Sequence, residues 1–248
     1  MRRCLHQFLG RIGYREASDL QASFARRLKD GSGGERLLLL EHDPVVTLGR
    51  NARETDLLAG ERRLLASGVA VERTDRGGQV TYHGPGQLVG YPILSLQPDR
   101  RDVGRYLRDL EEVLIRTLGR FGITAGRREG FTGVWAGDGK IAAIGVHLSR
   151  WVTTHGFALN VTTDLSRFDL IVPCGIRGAG VTSMRRLLER DVPLLEVAER
   201  VVPEFGAVFD REMVADPGGA PAGTPDLGEP LALGTGEAPS GSRGEISR

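Results

Sequence analysis

The 248-residue chain carries 33 Lys and Arg against 32 Asp and Glu, a formal net charge of +1, with 40% apolar and 26% charged residues. That balance is ordinary for a globular protein with a sizeable core, and it gives no electrostatic reason to expect nucleic acid or a membrane surface as partner. The two cysteines, Cys4 and Cys174, cannot build a disulfide framework, and no apolar run nears the ~18 residues of a membrane span.

The opening "MRRCLHQFLGRIGYRE" is interrupted by Arg11 and Arg15, so it reads as a mature start rather than a signal peptide, and a reducing cytoplasm is the expected location. "YREASDLQASFARRLKDG" has helical spacing at Leu20, Phe24 and Leu28 and ends in glycines. "ERLLLLEH" and "PVVTLG" are short buried-strand candidates. "ERRLLASG" predicts a short helix ending at Gly68, followed by a strand in "VAVERT". "QVTYHG" and "GQLVGYPILSL" predict strands separated by a His-Gly-Pro-Gly turn. The strongest helix is "RDVGRYLRDLEEVLIRTLGRFG", with Val103, Leu107, Leu110, Leu114, Leu118 and Phe121 on one stripe.

Further strand candidates follow in "TGVWAGDGKIAAIGVHLS" and "WVTTHGFALNVTTD". Asp138-Gly139 is a hairpin turn signal, with Lys140 opening the returning strand. "GIRGAGVTS" fits no dinucleotide fingerprint and reads as a tight turn before a helix capped by Thr182 or Ser183. "SMRRLLER" and "PLLEVAERVVPEFGAVFD" predict the closing helices. Together these elements make a mixed α+β architecture. Near residue 215 the composition turns to Pro, Gly, Ser and Ala with few large apolar groups. Such a segment cannot bury enough surface to offset its ordering entropy, so 1–214 is the expected folded domain and 215–248 a disordered tail.

The five histidines, His6, His42, His83, His147 and His155, form no His-Glu-x-x-His motif, and no paired-cysteine motif is present. His147 and His155 fall eight apart on neighbouring strand candidates, an unsupported ligand pair, and no metal is expected. "GDGKI" lacks the leading glycine of a phosphate loop and has Ile141 where Ser or Thr should bind magnesium.

Three other features carry chemistry. In "RGGQVTYHGPGQLVGYP", seven residues from Gly77 onward are Gly or Pro, beside Arg76, Tyr82 and His83. Either the backbone there approaches a ligand closely, or a hairpin needs unusual dihedrals. Cys174 lies between Pro173 and Gly175, directly after apolar "LIV". It is either a small buried hydrophobe or a thiol exposed at a turn, and a reactive thiol needs a nearby base or positive charge. Lys140 is one of two lysines in a chain that otherwise uses Arg for positive charge. A lysine beside a turn is ordinarily solvated, but only Lys, not Arg, can give up its proton and act as a base. Lys29, at a helix end, reads as a charge favoured by the helix dipole.

"RGGQVTYHGPGQLVGYPI", "GKIAAIGVHLSRWVTTHGFALNV" and "IVPCGI" resemble, in that order, the signatures of the lipoyl(octanoyl) transferase family, the octanoyl-carrier-protein to protein N-octanoyltransferases. The likeness runs from about Leu37 to the helix after Met184. It implies the mixed α/β scaffold of biotin and lipoate protein ligases, a mixed sheet flanked by helices, with 1–214 as an acyltransferase catalytic domain. It implies a catalytic pair matching Cys174 and Lys140. Its acyl-binding positions match Arg76, Gly77, Gly78, Gln79, Val80, Thr81, Tyr82 and His83, with Ala143, Ile144, Gly145, Gly156, Phe157 and Ala158. The implied donor is octanoyl-acyl carrier protein. The implied acceptors are lipoyl domains of 2-oxoacid dehydrogenase complexes and the glycine cleavage H protein, and no cofactor is required. On this chemistry, backbone near Gly77 and Gly78 could supply oxyanion donors. Small residues such as Ala142, Ala143, Gly145 and Gly156 leave room for an alkyl chain, whose buried methylenes contribute about 0.8 kcal/mol each. The alternatives are an ATP-dependent lipoate or biotin-type ligase on the same scaffold, a non-catalytic acyl-binding module, and a thioesterase.

Overall fold

The computed structural model describes residues 1–98, 100–172 and 180–216. Its first elements are strand β1 (Arg2–Ile12), helix α1 (Tyr14–Lys29), and strands β2 (Glu35–His42) and β3 (Val45–Leu48). After a 3-10 turn at Glu54–Asp56 come α2 (Glu61–Ala66), β4 (Ala70–Arg73), β5 (Val80–His83) and β6 (Gln87–Ile93). The long helix α3 (Val103–Gly119) leads to the meander β7 (Gly126–Arg128), β8 (Phe131–Ala136), β9 (Gly139–Ser149) and β10 (Val152–Asn160). A 3-10 turn at Leu165–Leu170, α4 (Met184–Leu188), α5 (Leu194–Phe209) and β11 (Arg211–Ala215) complete the described chain.

These strands form an eight-stranded mixed sheet, in the order β11-β1-β2-β6-β10-β9-β8-β7, and a three-stranded sheet in the order β4-β3-β5. The run of four leucines in β2 follows from its central place in the large sheet. Successive side chains of a strand face opposite ways, so a strand covered on both faces needs apolar residues at every position. Leu37 and Leu39 enter the core shared with α3 and α5, while Leu38 and Leu40 enter the core under α1. A third, smaller core joins β3 and β5 to Leu64 of α2 and to Phe168 and Ile171.

The fold follows the predicted α+β plan with three strands added, β1, β7 and β11. β1 lies inside the sheet, parallel to β2 on one side and to β11 on the other. Glu35, 5% exposed, binds these three strands together through Arg211 Nε at 2.5 Å and Arg2 Nη1 at 3.4 Å. At the end of β11, Asp216 pairs with Arg36 and its N–H donates to the His6 carbonyl at 2.9 Å.

Two local expectations shift and one pair of alternatives is decided. Val103 is 42% exposed, because it opens α3 before the apolar stripe meets the core. The hairpin turn is Gly137-Asp138, with Gly137 at φ +56° and Gly139 already paired with Ala136. A glycine at the first turn position supplies the positive φ a two-residue hairpin requires. Ser183, rather than Thr182, caps α4 by accepting from Arg186 N–H at 3.3 Å.

Candidate active site

A narrow cleft of about 60 Å³ lies between β5 of the small sheet and the β9–β10 hairpin of the large one. Strand register builds one wall. Gly156 pairs with Gly145, Phe157 with Ile144 and Ala158 with Ala143, so the two small-residue stretches lie directly side by side. Arg76, Gly78, Gln79, Val80, Thr81 and His83 form the opposite wall, and Tyr14, Tyr91 and His155 complete the lining. The walls approach closely only because position 145 lacks a side chain. A Cβ there would stand 3.0 Å from the Gly77 carbonyl oxygen and 3.2 Å from Arg76 Cδ.

Two of the residues expected in the cleft do not line it. Tyr82 points to the opposite face of β5, where its ring meets Phe168 edge-on at 5.8 Å in the small-sheet core. Gly77 fastens the loop to β9 by donating its N–H to the Val146 carbonyl at 2.8 Å. That N–H is therefore already committed and offers nothing to an oxyanion.

Arg76 and His83 belong to a polar chain whose bonds run in one sense. Arg76, 7% exposed, donates from Nη2 to both the carbonyl and the hydroxyl oxygen of Thr47 at 2.8 Å. With its oxygen accepting from Arg76, the Thr47 hydroxyl donates toward His83 Nε2 at 3.5 Å, a long contact. His83 Nδ1 then donates to Gln87 Oε1 at 2.7 Å. The Gln87 amide donates to Asn160 Oδ1 at 2.9 Å, and the Asn160 amide to the Thr182 carbonyl at 3.1 Å. This network assigns the Nδ1–H tautomer to His83. Burial, aided by the nearby His42, holds His83 down to about 3, so the ring is neutral at ordinary pH. Both residues line the cleft and hold its wall in place.

Thr182, where the chain ends, is bonded to Lys140. Thr182 N–H donates to the Lys140 carbonyl at 3.0 Å, and Lys140 N–H to the Gly180 carbonyl at 2.9 Å. Lys140 does not line the cleft. It stands three residues before Ala143 on the same strand, its Nζ 5.7 Å from the centre of the Trp135 ring. Its side chain crosses the bare Cα of Gly133, where a Cβ would come within 2.6 Å of Lys140 Cε. Gly133 has φ +122° and its N–H donates to Glu111 Oε1 at 2.9 Å.

The expectation for Cys174 lies outside the described residues. The chain on either side of them is anchored, Val172 N–H on the Asp56 carbonyl at 2.8 Å and Gly180 on Lys140. Cys4, the other cysteine, is fully buried in β1. Burial, with the Glu35 carboxylate nearby, pushes its thiol up to about 12. It is therefore inert as a nucleophile.

Residues 13–206 match the family model of the lipoyl protein ligase A/B catalytic domain. The chain belongs to this family. Among its relatives, the octanoyltransferase of Solibacter usitatus is 56% identical over 214 residues, covering 86% of this chain and 96% of the relative. That of Chloroflexus aggregans is 52% identical over 209 residues, 83% and 95% of the two chains. The fold is shared with the putative lipoate protein ligase Ta0514 of T. acidophilum, solved with bound lipoic acid, at TM-score 0.67 and 19% identity over 87% of this chain and 88% of that one. A lipoate-protein ligase A bound with ATP gives TM-score 0.67 at 20% identity with the same coverage.

Against this lipoyl ligase A/B scaffold, sequence reasoning omitted Tyr14, Tyr91 and His155 from the cleft. Tyr91 donates to His42 Nε2 at 2.7 Å, and His42 Nδ1 donates to the Ile12 carbonyl at 2.9 Å. His155, at φ +56°, bonds Asp75 Oδ1 through Nε2 at 2.8 Å, and His147 Nε2 lies 3.5 Å from the other oxygen of the same carboxylate. Burial raises the Asp75 carboxyl, but the His155 hydrogen bond and the charges of both histidines outweigh it and hold the group below its ordinary value. His147 and His155 thus converge on a carboxylate. No cluster of three or more metal-ligating side chains occurs among the described residues, and none of the described helices is long and apolar enough to cross a membrane.

Proposed function

We propose that this chain transfers an octanoyl group from octanoyl-acyl carrier protein to a lysine of lipoyl domains, those of 2-oxoacid dehydrogenase complexes and the glycine cleavage H protein. The observation that carries the reading is the groove formed by Gly145, Gly156, Ala143 and Ala158, in register on β9 and β10, in a chain 56% identical to an octanoyltransferase. A slender apolar chain gains about 0.8 kcal/mol for each methylene it buries there.

In this mechanism the Cys174 thiolate attacks the thioester carbonyl of the donor. The tetrahedral intermediate collapses by expelling the carrier's thiolate, which takes up a proton, and leaves an octanoyl-Cys174 thioester. The lysine amine of the lipoyl domain then attacks that carbonyl, the Cys174 sulfur leaves, and an amide forms. Lys140 favours the thiolate as a cation in the first step and gives its proton to the departing carrier thiolate; as the neutral amine it then accepts the proton of the attacking lysine in the second. Thioester to amide is downhill, so neither ATP nor a metal enters the scheme. The chain from Arg76 to Thr182 holds the cleft wall in fixed relation to the Lys140 backbone. A catalytic thiol suits a reducing compartment. The boundary expected at 214 is moved to 216, because β11 runs to Ala215 and Asp216 pairs with Arg36, and we place the residues beyond it outside the catalytic unit.

Incubation with octanoyl carrier protein followed by intact-mass analysis tests the reading. The wild type and Cys4→Ser should each gain one octanoyl group, which an added lipoyl domain removes, and Cys174→Ser should gain none. An unmodified wild type, or transfer that requires ATP, would refute the scheme and favour an ATP-dependent ligase.

A further inference from the structure

The far end of the cleft differs from its small-residue middle, because Tyr14, Tyr91 and His155 stand there together. Tyr14 and His155 also line a broad outer cleft of about 700 Å³, which extends past Asp75 and His147 between α1 and the outer parts of β9 and β10. The narrow cleft and the outer one are thus separated by side chains that face both.

His155 is held firmly in that partition. It is 8% exposed, its backbone N–H donates to Gln21 Oε1 at 2.7 Å, and its Nε2 bonds Asp75 at 2.8 Å. Its ring meets Tyr91 nearly perpendicular, with centroids 6.2 Å apart. The backbone at φ +56° adopts a conformation that a histidine rarely takes. A side chain kept in such a conformation, with every neighbour fixing it, has a positional role.

We propose that His155, braced by Asp75, is the end wall of the acyl cleft and sets the longest chain the site accepts. This rests on the acyl-transfer reading. His155 pairs with Val146, and from Lys140 to Val146 the strand advances roughly 20 Å. Part of that length is taken up by the reach of the Lys140 side chain and the reacting carbonyl. The remainder accommodates a medium-length chain, and a chain twice as long as octanoyl would have to pass through the imidazole into the outer cleft.

The variant His155→Gly tests this directly. Glycine adopts positive φ without cost, so the backbone is retained while the partition is removed. The Asp75 side chain is 63% exposed and stays solvated without its partner. Binding of free octanoate, dodecanoate and hexadecanoate is measured by calorimetry on wild type and variant, beside intact-mass acylation from octanoyl and dodecanoyl carrier protein. The wild type should bind hexadecanoate more weakly than octanoate. His155→Gly should raise the hexadecanoate-to-octanoate affinity ratio more than tenfold, because two methylenes newly buried in the outer cleft already suffice for that change. Thermal melting confirms that the variant is folded. If His155→Gly fails to fold, His155→Asn, whose short side chain tolerates positive φ, should shift the ratio in the same direction. An unchanged ratio in a folded variant, or a wild type indifferent to chain length, overturns the end wall. The binding measurement needs no catalysis, so a wild type that binds with a length limit but is never acylated overturns the transfer reading alone.

Discussion

Lowering the pH from 7.5 to 5.5 should destabilise the fold through two buried histidines. His42 is 0% and His83 7% exposed, and burial holds them at about 4 and about 3 respectively. In the unfolded chain each titrates near 6.5. Below that value the unfolded state binds protons that the folded state refuses, so stability is complete above it and is lost as pH falls toward the folded values. Between pH 7.5 and 5.5 each ring contributes a loss of about 1.4 kcal/mol, and the pair roughly 3 kcal/mol. His155 and His6, also lowered by burial, act in the same direction. Asp75, whose carboxyl is lowered, begins to lose its contribution only below about pH 4 and so stays outside this window. Urea unfolding at pH 7.5, 6.5 and 5.5 measures the slope directly. His42→Gln removes one of the two titrations, so it should lower the loss by about 1.4 kcal/mol whatever its baseline stability. Stability that does not change across the window, or a slope unaffected by His42→Gln, would refute the assignment of two neutral buried rings.

Lys140→Arg keeps the charge but cannot release a proton, so transfer to the lipoyl-domain amine should fall about 10²–10⁴-fold while Cys174 acylation is less affected; wild-type rates in both half-reactions would exclude proton transfer. Gly145→Val places atoms against the Gly77 carbonyl and Arg76, and it should weaken octanoate binding by calorimetry and cost roughly 1–3 kcal/mol in urea unfolding. A chain ended after Asp216 should keep its cooperative unfolding and activity. One ended after Asp210 loses β11 and takes Arg211 from the buried Glu35, with an expected cost of about 3–5 kcal/mol. Equal stability of the two truncations would show that β11 is dispensable.

How much of this was legible depended on how far apart in the chain the cause lay. The Leu37–Leu40 run, the α3 stripe and the β9–β10 hairpin announce themselves locally, because their periodicity reports burial on one face or two. β1 gave no such signal. Only Cys4, Leu9 and Ile12 of its eleven residues are buried, and one of its two partner strands lies some two hundred residues later. β11 is five residues long, too short to show a period of its own, and it is a strand because β1 offers an edge. The cleft divides the same way. Its middle could be read from the matched positions on β5, β9 and β10, whereas its far end joins Tyr14 of α1 to Tyr91 and His155, of which the last two lie inside the quoted stretches but outside the positions matched to acyl binding. Tyr82, inside the best motif, faces away from the cleft because successive residues of β5 point to opposite faces.

The place of β1 between β2 and β11 also constrains how the molecule can be made. Among the described strands β1 emerges first during synthesis and β11 last, yet Arg2 pairs with Arg211. Closing so long a loop costs entropy that only the finished contacts return, and such non-local topology slows folding. Until β11 emerges, the outer edge of β1 stays open and Glu35 lacks its nearest cation. An unpaired edge invites association between chains. Nascent molecules of this protein therefore pass through a stage in which the eleven-residue β1 stands at the edge of the sheet, until β11, the last of the described strands, covers part of it with an edge only five residues long.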